Sequence, residues 1–96
     1  MLDLNETDIL TKVIKYNLIS SGRMIHIDIH EAVFGKLAGK FVAVPNLINI
    51  IAKQKYQGAG DTEKEALQDC LKKIKDIALE DLFPKKVKDN KADNAS

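Results

Sequence analysis

Arg23 to Glu31 reads RMIHIDIHE and places His26, Asp28 and His30 at every second position, with Ile25, Ile27 and Ile29 between them. Imidazole and carboxylate groups are common ligands of zinc and its neighbours, and the chain holds only these 2 histidines. Alternate residues of an extended strand share a face, so all three polar groups would point one way. Neighbours two apart sit roughly 7 Å apart at Cα, close enough for two of them to share an ion. The outer histidines sit roughly 13 Å apart, a long reach for one metal with bonds of about 2 Å. The strict alternation is also what a half-buried strand needs. Ile25, Ile27 and Ile29 would then face the core, and His26, Asp28 and His30 would face water or another subunit. A metal held by His26, Asp28 and His30 is the competing use of that face.

Two other groups have chemistry to offer. Cys70 could be a nucleophile only in an accessible, electropositive setting beside a base. Its neighbours Leu67, Leu71 and Ile74 recur at helical spacing and place the thiol on an apolar stripe instead. YQGAGDT, 56–62, brings two glycines to the start of a helix, as a phosphate-binding loop does. Asp61, Glu63 and Glu65 crowd that start and would repel an anion, so the glycines serve a tight strand-to-helix turn. No order of serine, histidine and aspartate and no pair of carboxylates stands out. The expectation is a protein without catalytic residues, cofactor or metal.

These residues need elements to carry them. Residues 5–20 read as a first helix, with Asn5 as its cap, Glu6 and Asp8 in its first turn, and Ile9, Leu10, Val13 and Ile14 on one face. Ser20, Ser21 and Gly22 would stop it. Strands follow at 23–31 and 40–47, joined by the glycine-containing FGKLAG at 34–39. Pro45 lacks an N–H and belongs at a strand end, an edge or a bulge. INIIAKQKYQG, 48–58, reads as a third strand, although a helix through 46–57 competes. A second helix then opens with Thr62 and Glu65 in capping-box spacing. Its stripe runs through Ala66, Leu67, Cys70, Leu71, Ile74, Ile77 and Ala78. Leu79, Leu82 and Phe83 extend the apolar character, and Pro84 marks the end. The expected fold class is α+β: a three-stranded antiparallel sheet with an N-terminal and a C-terminal helix packed on one face, in the order α-β-β-β-α. Residues 1–84 form this single domain, and 85–96 are expected to be a disordered polar tail.

Length and composition set the outer limits. The 96 residues suffice for one core and no second domain. The single cysteine excludes an internal disulfide framework. No apolar run reaches membrane-spanning length, and the acidic start MLDLNETD does not resemble a signal peptide. A cytoplasmic location without membrane contact is expected. The net charge of +1 does not announce nucleic-acid binding.

GKFVAVPNL, followed by YQGAGDTEKEALQDCLKKIKDI, resembles the HicB-like family of bacterial antitoxins. Val44, Pro45, Asn46 and Leu47 match that family's Pro-Asp-Leu-like turn. Gly60, Asp61 and Thr62, then Glu65, Ala66 and Leu67, match its helix entry. The resemblance covers roughly 23–80 and implies a stand-alone HicB-like domain without a C-terminal DNA-binding segment. It implies a non-catalytic module that binds a small toxin-like protein or itself, with a homodimer expected. The order of elements also resembles a double-stranded-RNA-binding domain, which makes nucleic acid the alternative partner. There Lys64, flanked by Glu63 and Glu65, stands where a lysine run would grip phosphate.

Overall fold

The computed structural model describes residues 3–84. The domain is α+β, with a four-stranded antiparallel sheet rather than three strands behind an N-terminal helix. Strands β1 (Leu10–Ser20), β2 (Arg23–Phe34), β3 (Phe41–Asn46) and β4 (Gly58–Gly60) lie in the sheet in chain order. Helix α1 (Glu63–Ile74) crosses one face, and a short helix α2 (Leu79–Leu82) follows it.

The expected N-terminal helix over 5–20 is instead a turn and the strand β1. Asp8 Oδ2 accepts from Asn5 N at 2.9 Å, and Asp8 N donates to Asn5 O at 3.0 Å. Asp8 thus supplies only the reciprocal half of a capping box, and the contacts close a single turn. Beyond it, Ile14, Tyr16 and Leu18 pair with Ile29, Ile27 and Ile25 of β2. These cross-strand partners put Ile14, Tyr16 and Leu18 on the core side, with a period of two. Ser21 and Gly22, at φ 49° and 77°, form the two-residue loop between paired Ser20 and Arg23. Two successive positive φ values match the right-handed twist of a hairpin. Gly22 has the left-handed backbone that the helix reading asked for, but it ends no helix.

The second strand matches the expectation closely. Ile25, Ile27 and Ile29 are each 1% exposed, and burial of each contributes about 1.5–3 kcal/mol before entropy. The next correction concerns 48–58. Only Gly58–Gly60 forms a strand there, preceded by an isolated bridge between Asn46 and Ile51 and a 3-10 turn at Gln54–Tyr56. Pro45 sits beyond Phe41–Ala43, the three β3 residues that pair with β4, so its missing N–H interrupts no β3–β4 rung.

Gly58 and Gly60 do more than make a turn. A Cβ on Gly58 would lie 2.3 Å from Ala66 O, and one on Gly60 would lie 2.5 Å from Glu65 Cβ. The bare backbone of β4 is what lets α1 descend onto the sheet. Thr62 Oγ1 accepts from Glu65 N at 3.1 Å, and Glu65 Oε1 accepts from Asp61 N at 2.9 Å, which starts the helix as its sequence requires. Ala66, Cys70 and Ile74 are buried on its inner face. The helix stops at Ile74, short of the expected continuation through Ile77 and Ala78. Asp76 adopts φ 63°, and the redirected chain returns Leu82 and Phe83 to the core at 0% and 6% exposure. The tail expected over 85–96 lies outside the described residues.

Candidate interaction surface

Alternation along the strands and the cross-strand register divide the sheet into two unlike faces. Toward α1 lie Ile25, Ile27, Ile29, Ala43 and the two β4 glycines. On the opposite face the register forms rows: Ile19 beside Met24, Asn17 beside His26 and Asn46, Lys15 beside Asp28 and Val44, Val13 beside His30 and Val42. Among the described residues no helix packs on that face. It carries exposed Val13, Ile19 and Met24, the outermost of them 73% exposed.

His26, Asp28 and His30 do share this face, half-buried, as the alternation requires. Each is engaged by β1 rather than by the others. Lys15 Nζ donates to Asp28 Oδ1 at 2.7 Å, and His26 Nδ1 bonds Asn17 Oδ1 at the same distance. His30 Nδ1 and the Thr11 hydroxyl share a bond at 3.2 Å. An ammonium already neutralises the only carboxylate of the three. Among the described residues no three His, Cys, Asp or Glu side chains converge in a way that could hold a metal.

Cys70 is buried, and its Sγ lies 3.7 Å from Tyr56 O. Desolvation pushes the thiol pKa up to about 11, with the nearby Asp69 carboxylate adding to it. It is a packed side chain that keeps its proton at neutral pH. At the start of α1, Asp61 pairs with Lys40 at 2.6 Å, and this contact holds its carboxyl below the usual carboxylate range. Asp69 is likewise lowered, first by Lys73 and then by the backbone N–H of Ala59. Glu63 accepts the Tyr16 hydroxyl, which raises the phenol pKa. This helix end is ringed by carboxylates, an unfavourable seat for nucleic-acid phosphate.

Strand β1 is the feature that sequence reasoning missed. None of its 11 residues is buried, although it is the second-longest strand of the sheet. Its outer edge has no neighbouring strand among the described residues. The signal for it was present in Ile14, Tyr16 and Leu18, spaced by two and followed by a hairpin turn. Also missed was the loop after β3. Ile48 has φ 78°, and Asn49 N bonds Leu47 O at 3.0 Å across it, a γ-turn. Buried Asn46 holds the turn by donating to Val44 O and accepting from Ile48 N, both at 3.0 Å. Leu47 and Ile50 pack inward, while Ile48 and Ile51 stay 77% and 56% exposed.

No helix among the described residues is long and apolar enough to cross a membrane. No protein-family model, curated protein or solved structure matches the chain.

Proposed function

We propose that this chain is a non-catalytic interaction module that associates with a second copy of itself, as its resemblance to HicB-like domains suggests. The observation that carries the reading is the one-sided core. Among the described residues, helices cover β2, β3 and β4 on one face, while no helix lies on the opposite face and its apolar side chains at the β1 side stay in water. Val13, Ile19 and Met24 are each about half or more exposed, and burying such groups in a protein interface is favourable. The absence of catalysis in this reading rests on the neutral, buried thiol of Cys70 and on the ion-paired Asp28.

Sedimentation of the full chain at concentrations on the order of tens of micromolar tests the reading, since interfaces of ordinary size hold micromolar or tighter. A dimer is expected, and a monomer overturns self-association. A small toxin-like partner would instead co-purify with the chain. Nucleic-acid binding is not favoured, because the acidic start of α1 replaces the basic grip that such a domain needs. Retardation of an RNA duplex at low salt would reverse that preference.

A further inference from the structure

The geometry points to a two-fold dimer in which β1 pairs antiparallel with β1 of a second copy, centred on Tyr16, to give one continuous eight-stranded sheet. This inference rests on the self-association proposed above and adds the surface, the partner segment and the register.

The two edges of the sheet differ. The β4 edge is only three residues long, and beyond it the β3 backbone is occupied by the Asn46–Ile51 bridge and by Ala52 N donating to Pro45 O at 2.9 Å. The β1 edge runs for 11 residues with no strand outside it among the described residues. Such an edge offers a row of unpaired N–H and C=O groups that a further strand can complete. Lysines commonly guard edges by standing out from them. Here both lysines turn inward: Lys15 to Asp28 at 2.7 Å and Lys12 to Glu31 at 3.5 Å. Both side chains are thereby drawn toward β2, away from the open edge.

The register follows from symmetry. In an isologous antiparallel pair, facing residues must lie on the same side of the sheet, so the axis passes through a residue. An axis at Lys15 sets Lys15 against its own copy, which is destabilising. An axis at Ile14 sets Lys15 against Val13, and one at Asn17 sets Lys15 against Ile19. An axis at Tyr16 sets Val13 against Ile19, Ile14 against Leu18, Lys15 against Asn17 and Lys12 against Ser20. Within the overlap, every apolar residue then meets an apolar residue and each lysine meets a neutral polar one. Tyr16 meets its own copy, with each hydroxyl held by Glu63 on the helix side.

The full chain carrying Tyr16→Cys tests this arrangement. Facing residues across the axis would have Cα atoms about 4.5–5.5 Å apart, within the range a disulfide spans. Buried Cys70 contributes no competing thiol. Oxidation should convert most of the Tyr16→Cys chain to a covalent dimer, while Met24→Cys, one strand further in on the open face, should stay uncrosslinked. Two Lys15–Asn17 contacts cross the axis, each worth about 0.2–1 kcal/mol when charged. Asn17→Lys should therefore raise the dissociation constant about 2–30-fold, and Asn17→Asp should lower it by a similar factor. If Tyr16→Cys fails to fold, the Asn17 pair decides alone. A native dimer that crosslinks through Met24→Cys, or whose affinity ignores the charge at position 17, overturns the edge arrangement and leaves self-association standing. A monomeric native chain overturns both.

Discussion

β1 and β2 are adjacent, antiparallel, nearly equal in length and similarly rich in isoleucine and valine, yet β2 holds three isoleucines at 1% exposure while β1 reaches the core only with half-buried Ile14 and Leu18. Their difference lies in what stands above them. Gly58 and Gly60 bring α1 down over β3 and β4, so its apolar stripe reaches β2 and scarcely extends to β1. Burial on a sheet is decided by the position of the covering layer as much as by the pattern of the strand.

The sharpest way to break the comparison is to remove one side chain from each strand. Ile27→Ala should cost about 2–5 kcal/mol in urea unfolding, because it opens a cavity under α1. Leu18→Ala in β1, half-buried on the same face as Ile27, should cost no more than about 1.5 kcal/mol in the monomer. Equal losses would mean that β1 is covered as well as β2. The origin of the asymmetry is addressed by Gly58→Ala, whose added Cβ meets helix backbone at Ala66 O, 2.3 Å away. A loss of about 1–3 kcal/mol is expected, since overpacking must push α1 off the sheet. Unchanged stability would show that the close approach of α1 is not what limits the covering.

A smaller effect reports on the covered side alone. The Cys70 thiol is raised to about 11, so the native state keeps its proton where an unfolded chain has lost it. Stability from this group is complete below the unfolded thiol's pKa and should decline as pH rises from about 9 to about 11. Thermal melts of the native chain and of Cys70→Ala across that window should converge if the thiol is responsible. A pH-independent difference between them would remove it as the cause.

The smallest effect is expected in the loop after β3. Ile48→Gly should raise stability by about 0.5–1 kcal/mol in urea unfolding, since glycine accepts the positive φ of this γ-turn that isoleucine resists.

The alternation of Ile25, Ile27 and Ile29 could be read without any tertiary knowledge, as could the Thr62–Glu65 start of α1 and the burial of Cys70. Each depends on neighbours within a few positions along one element. β1 could not be read in that way. Ile9, Leu10, Val13 and Ile14 suit a helix face, while Ile14, Tyr16 and Leu18 suit a strand, and the Asn5–Asp8 contacts close one turn without a helix to follow. Pairing with β2 decided between them, because the β2 backbone supplies partners that no local signal encodes. The same holds for residues 48–57, where Asn46 and Pro45 anchor a loop in place of a strand.

By itself, then, the sequence determined the central strand, the capped helix and a polar row of His26, Asp28 and His30 on the side away from the core. The tertiary structure decided that β1 is a strand, that Lys15, Asn17 and Thr11 engage that row, and that among the described residues one edge has no strand beside it and one face no helix. Periodicity records which side of an element is apolar. Only the packing of distant segments determines whether anything arrives to cover it.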